Sequence, residues 1–163
     1  MADPVFTDLM PEDGLPEALL ALNNDFAVEL SALNAEKAHH LVRHAFMARV
    51  IGHQALLLAF DQDAAYENPN FHWFKERYDR FIYIDRVVVA PARQGWGWAR
   101  LLYESLFERA RERGHAHVTC EINVDPPNPR SEAFHTGLGF EAVGQAILPG
   151  ARKTVRYFCK AIP

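Results

Sequence analysis

Phe81-Ile82-Tyr83-Ile84-Asp85-Arg86-Val87-Val88-Val89-Ala90 is rich in β-branched and aromatic residues, as a mostly buried strand should be, and Pro91 closes it. Gln94-Gly95-Trp96-Gly97-Trp98-Ala99 then turns the chain into a run from Arg100 to Ala110 in which Leu102, Leu106, Phe107 and Ala110 share one helical face. Glycines at the mouth of a helix let several backbone N–H groups converge on one anion, and the helix dipole favours it there. A phosphate is the expected ligand of such a turn.

The spacing narrows which phosphate. A nucleotide P-loop needs Gly-Lys-Ser/Thr, but Gly97 is followed by Trp98-Ala99. A dinucleotide fingerprint needs Gly or Ala where Arg100 stands. What remains, Gln94-x-x-Gly97-x-Ala99, resembles the Gln/Arg-x-x-Gly-x-Gly/Ala signature of the GNAT acyl-CoA N-acyltransferase superfamily. A second match lies downstream, where Asn128, Ser131, His135 and Gly139-Phe140 keep that family's spacing with His135 in place of its Tyr.

The resemblance covers the chain well from Phe81 onward and the N-terminal half in outline. It implies one GNAT-type acyltransferase domain over residues 1–163. The expected fold is α/β, a mixed, mostly antiparallel sheet of about seven strands with helices on both faces. It implies acetyl-CoA as co-substrate and no metal. The pantetheine arm is expected against the backbone of Val87, Val88 and Val89, where N–H groups near Val88 and Val89 would polarise the thioester. The pyrophosphate would rest on Gln94, Gly95, Trp96, Gly97, Trp98 and Ala99. Arg93, Arg100 and Arg130 are candidates for the outlying phosphates, and Asn128 and Ser131 complete the cofactor side.

Catalytic candidates follow from both sources. Glu121 stands in the apolar strand His117 to Asn123, where a carboxylate is costly unless it is paired or faces a cavity. It reads either as the base that takes the amine's proton or as half of an ion pair with an arginine. Asp85 raises the same question toward the acceptor; strand alternation sends Arg86 to the opposite face, so adjacency does not pair them. His135 replaces the tyrosine that the resemblance makes the acid for the departing thiolate, and an imidazole can donate a proton near neutrality. Tyr157, on the last strand, is a substitute acid. Asn23 and Asn24 interrupt the first helix and, by the resemblance, line the acceptor side.

The rest of the chain is consistent with this. The protein has 163 residues, 49% hydrophobic and 23% charged, ordinary for a globular domain. A net charge of −4 does not favour nucleic acid. No apolar run approaches membrane-spanning length, and Met1-Ala2-Asp3-Pro4 does not begin a secretory signal, so the cytoplasm is expected. Cys120 and Cys159 read as buried thiols. His39, His40 and His44 share a helix without the Glu or Cys that a metal site would add.

Helices are expected over 15–22 with Pro16 in the first turn, over 31–44 with a cap at Asn34, over 100–110 and over 131–136. The aromatic run Phe71 to Tyr78 reads as core, with a substrate lid as a second reading. The last two strands are joined through Pro149 to Lys153. The expected activity is transfer of an acetyl group from acetyl-CoA to a primary amine of a small molecule or peptide by direct attack. The alternative is a non-catalytic acyl-CoA-binding sensor, which the histidine at 135 leaves open. A homodimer is compatible with either.

Overall fold

A computed structural model describes residues 3–148, 150 and 153–163. Seven strands form one sheet in the order β1-β2-β3-β4-β5-β7-β6. They are β1 (Phe6–Asp8), β2 (Met47–Ile51), β3 (Ala55–Asp61), β4 (Phe81–Val89), β5 (His117–Asp125), β6 (Glu141–Leu148) and β7 (Lys153–Ala161). Every pairing is antiparallel except β4 with β5. Among the described residues six α-helices accompany the sheet: α1 (Glu17–Asp25), α2 (Ala27–Leu30), α3 (Ala35–His44), α4 (Pro69–Lys75), α5 (Trp98–Glu112) and α6 (Pro129–Gly137). The α/β architecture and strand number match expectation; part of the connection from Pro149 to Arg152 lies outside the described residues.

Side-chain alternation along β4 builds two cores. Ile82 and Ile84 pack with Leu102, Leu106 and Phe107 of α5, and with Phe140 beyond α6. Phe81 and Tyr83 face the other way, onto Leu19 of α1, Leu41 of α3 and Phe71 and Phe74 of α4. Fully burying one such side chain contributes about 1.5–3 kcal/mol, so both faces of the central strand anchor the fold.

The helices depart from expectation in three places. First, α1 does not stop before its asparagines but runs through Asn23 and Asn24 to Asp25, because both amides find partners beyond the helix. Second, Ser31 adopts φ 68°, a left-handed conformation that a helix excludes, so α3 begins only after Asn34, whose side chain accepts from the Lys37 N–H at 2.8 Å. Third, the aromatic run is helical. Asn68 caps α4 by accepting from the N–H groups of Asn70 and Phe71, and Pro69 stands at the first turn, where its missing N–H costs nothing.

Candidate active site

The central strands part company early. Parallel pairing between β4 and β5 covers only Phe81↔His117, Ile82↔Val118 and Tyr83↔Thr119, and the Thr119 hydroxyl donates to the Ile82 carbonyl at 2.9 Å at this fork. Beyond it β4 stays with β3 and β5 stays with β7. A cleft of about 750 Å³ fills the gap and extends from Phe26 and Leu30, through β4 and β5, to the first turn of α5 and to α6.

At the α5 end the site is made of backbone. Gly95 and Gly97 have φ 84° and 81°, which L side chains rarely adopt. A Cβ at either glycine would meet no protein atom within 4 Å, so it is the conformation, not crowding, that requires glycine there. Gly97 caps α5 with no side-chain partner. Among the described residues no hydrogen bond takes up the N–H groups of Gly95, Gly97, Trp98, Ala99 or Arg100. The amides of Gly97 to Ala99 therefore form an uncommitted anion site at a helix N-terminus. Gln94 donates from its side chain to the Val89 carbonyl at 3.3 Å, tying the turn to β4. Trp96 does not line the cleft; its ring lies outside, 4.2 Å from the Arg93 guanidinium. Arg93 donates to Gln54, and Arg100 pairs with Glu104 at 3.0 Å on the exposed helix face. Arg93, Arg100 and Arg130 all line the cleft.

Along β4 the ladder decides which amides face the gap. Ala90 donates to the Gln54 carbonyl at 2.7 Å, and Val88 lies opposite Leu56 in the same register. Antiparallel alternation then commits the Val88 amide to β3 and turns those of Val87 and Val89 toward the cleft. Of the expected pair near Val88 and Val89, Val88 is thus replaced by Val87.

Glu121 lines the cleft from β5. No arginine pairs with it among the described residues; the Tyr83 hydroxyl donates to its Oε2 at 2.6 Å. Burial pushes its carboxyl from the ordinary 4.5 up to about 7; the Tyr83 bond opposes the rise and the nearby charge of Asp85 adds to it. Such a carboxylate changes protonation near neutrality, as a general base requires.

Asp85 and Arg86 overturn the simple alternation. Leu58 lies opposite Arg86 and Ala59 opposite Ile84, which leaves Asp85 as the extra residue of a β-bulge. The bulge inverts the strand's parity: Tyr83 and Val88 face one core, Ile84 and Val87 the other. Asp85 and Arg86 consequently share a face, and Arg86 Nε donates to Asp85 Oδ2 at 2.6 Å with both side chains buried. The Tyr66 hydroxyl donates to the other Asp85 oxygen.

Three expected site residues are occupied elsewhere. Asn23 accepts from Arg86 Nη1 at 3.0 Å and donates to the Ser31 carbonyl, while Asn24 exchanges two bonds with the Leu33 backbone. Neither asparagine lines the cleft. Tyr157 also lies outside it: its hydroxyl donates to Asn70 at 2.9 Å, and its ring stacks on Trp73 at 4.2 Å. Burial raises this phenol to about 12, and α4 is a wall of the core that holds it.

His135 lines the cleft but is engaged at both nitrogens. Nδ1 lies 2.7 Å from the Ser131 carbonyl, which can only accept, so the ring proton sits there and Nε2 accepts from the Tyr103 hydroxyl at 2.7 Å. Burial lowers its pKa, which keeps the ring neutral and leaves no second proton to donate. Asn128 caps α6 by accepting from the Ser131 N–H at 3.3 Å. Tyr66, Asn70, Tyr83, Arg86 and Tyr103 had no signal in the sequence beyond polarity within apolar runs.

The sequence profile of the acetyltransferase (GNAT) family matches residues 36–140. The solved structures similar to this chain include the IAA acetyltransferase from Bacillus cereus ATCC 14579, with TM-score 0.65 and 14% identity over 98% of this chain and 99% of that one. The ribosomal-protein-S18-alanine N-acetyltransferase from Escherichia coli gives TM-score 0.65 and 15% identity over 98% and 94%. Structure yncA from Salmonella typhimurium, solved with its cofactor acetyl-CoA, gives 0.68 and 17% over 99% and 95%. No curated protein matches the sequence significantly. Profile, sheet order and forked central strands agree: the chain belongs to the acetyltransferase (GNAT) family.

Proposed function

We propose that this protein transfers the acetyl group of acetyl-CoA directly to a primary amine held in the β4/β5 cleft. The observation that carries the reading is the Glu121 carboxyl group, held by Tyr83, opposite strand amides that no neighbouring strand takes up, with an open helix N-terminus at the far end of the same gap.

Acetyl-CoA supplies the activated acyl group. The amides of Gly97 to Ala99 hold its diphosphate at the start of α5. Val87 and Val89 direct their N–H groups at the thioester carbonyl, polarising it and stabilising the oxyanion of the tetrahedral intermediate. Glu121 accepts the proton of the attacking amine, held in place by Tyr83. The C–N bond forms first, giving the tetrahedral intermediate, whose collapse breaks the C–S bond and releases the thiolate; because a thiol ordinarily titrates near pH 8.5, that step needs no strong acid. His135 acts by fixing the Tyr103 phenol at the wall of the gap.

The test is thiol release from acetyl-CoA across a panel of amines, with kcat/KM followed against pH. Activity should rise through an apparent pKa of about 7, and Glu121→Gln should abolish that limb. Tight CoA binding without thiol release for any amine would contradict the reading.

A further inference from the structure

Arg86 is 7% exposed, yet it lines the cleft at the end opposite the glycine turn. Its guanidinium is fixed by three bonds. Nε donates to Asp85 at 2.6 Å, and Nη1 donates to the Asn23 side chain at 3.0 Å and to the Ser31 carbonyl at 3.3 Å. Those bonds account for Nε and Nη1 and leave Nη2, with two N–H donors, without an acceptor among the described residues. His115 Nδ1 is the buried side-chain atom without a partner among those residues, so Nη2 is not sealed in the core. Nη2 keeps solvent contact in a residue that lines the cleft.

A charged guanidinium held rigid with two free donors selects an anionic oxygen, because a charge-assisted bond to a carboxylate is about twice as strong as one to a neutral group. Pre-alignment by Asp85 and Asn23 removes most of the ordering cost of binding. Glu121, on the facing strand, lies close enough for the charge of Asp85 to raise its pKa. One end of the gap thus offers guanidinium N–H donors for a carboxylate and, beside them, a base for an amine. Phe26 and Leu30 add an apolar wall to the same end.

Resting on the acetyl-transfer reading of this cleft, we propose that the acceptor is a free α-amino acid with an apolar side chain. Arg86 Nη2 receives the carboxylate, Glu121 faces the amine and Phe26 and Leu30 receive the side chain. Arg86 is then the residue that sets acceptor specificity. A simple alkylamine leaves the two donors unpaired.

Thiol release from acetyl-CoA tests this with matched acceptors: leucine against 3-methylbutylamine, and phenylalanine against phenethylamine. The wild-type protein should prefer each amino acid over its decarboxylated partner by about 10- to 100-fold in kcat/KM. Arg86→Lys keeps a cation beside Asp85 but loses the fork, and should shrink that ratio to about threefold or less. Should that variant fail to fold, thermal shifts of the wild-type protein with CoA provide a second reading: leucine should add stabilisation that 3-methylbutylamine does not. Equal or better use of the decarboxylated amines, an unchanged ratio in Arg86→Lys, or turnover confined to peptides overturns the proposal while leaving acetyl transfer intact. No thiol release with any acceptor overturns both.

Discussion

The two ends of the cleft are built from different material. At the α5 end the uncommitted groups are backbone amides, and the Trp96 ring lies outside the cleft. At the α1–α2 end, side chains form a linked set that runs from Tyr66 through Asp85 and Arg86 to Asn23 and the Ser31 carbonyl. A backbone site tolerates most substitutions and fails at its glycines. A buried side-chain network fails wherever one member is removed, because the remaining partner keeps the cost of burial.

That contrast can be broken by mutation. The largest effect is expected at the network: Asp85→Ala leaves the Arg86 charge buried and unpaired, and should cost about 3–5 kcal/mol in chemical denaturation. A loss below about 1 kcal/mol would mean that the pair is solvated. Next, Glu121→Gln should lower kcat by about 10²- to 10³-fold with little change in CoA affinity. At the backbone end, Gly97→Val puts a β-branched side chain at φ 81°, and CoA affinity should fall by about tenfold or more in calorimetric titration. Trp96→Ala, by comparison, should change that affinity by less than about threefold, since the ring lies outside the cleft.

A pH measurement sharpens the same comparison. The folded protein holds the Glu121 proton up to about pH 7, whereas the unfolded chain releases it near 4.5. Stability therefore falls as pH rises between those values, and the penalty is complete above pH 7. Glu121→Gln should then be more stable than wild type at pH 8, by roughly 3 kcal/mol, and equal to it at pH 4. Tyr83→Phe removes a bond that favours the carboxylate, so it should move the rising limb of activity to higher pH. A limb that stays in place would detach Tyr83 from the base.

What the sequence revealed follows the same division. The glycine turn was legible because a backbone site depends on positions where only glycine serves, and glycine spacing is written in the chain. Glu121 was legible as a carboxylate in an apolar strand, though its partner proved to be a phenol rather than an arginine. The Asp85–Arg86 pair was not legible. Nothing in Ile84-Asp85-Arg86-Val87 announces that β3 skips a residue between Leu58 and Ala59, and without the bulge the two side chains point apart. Asn23 and Asn24 looked like a helix end because asparagine competes with helical hydrogen bonding. Their partners at Ser31, Leu33 and Arg86 are tertiary and have no local trace. Tyr157 alternates correctly in β7, yet the depth of α4 against that strand is a packing outcome.

A crystal structure with acetyl-CoA tests the central claim most directly. The diphosphate should lie on the amides of Gly97, Trp98 and Ala99, the pantetheine should follow the open edge of β4, and the thioester carbonyl should meet the N–H groups of Val87 and Val89. Density for the diphosphate away from the α5 N-terminus, or a thioester outside the gap between β4 and β5, would contradict the account.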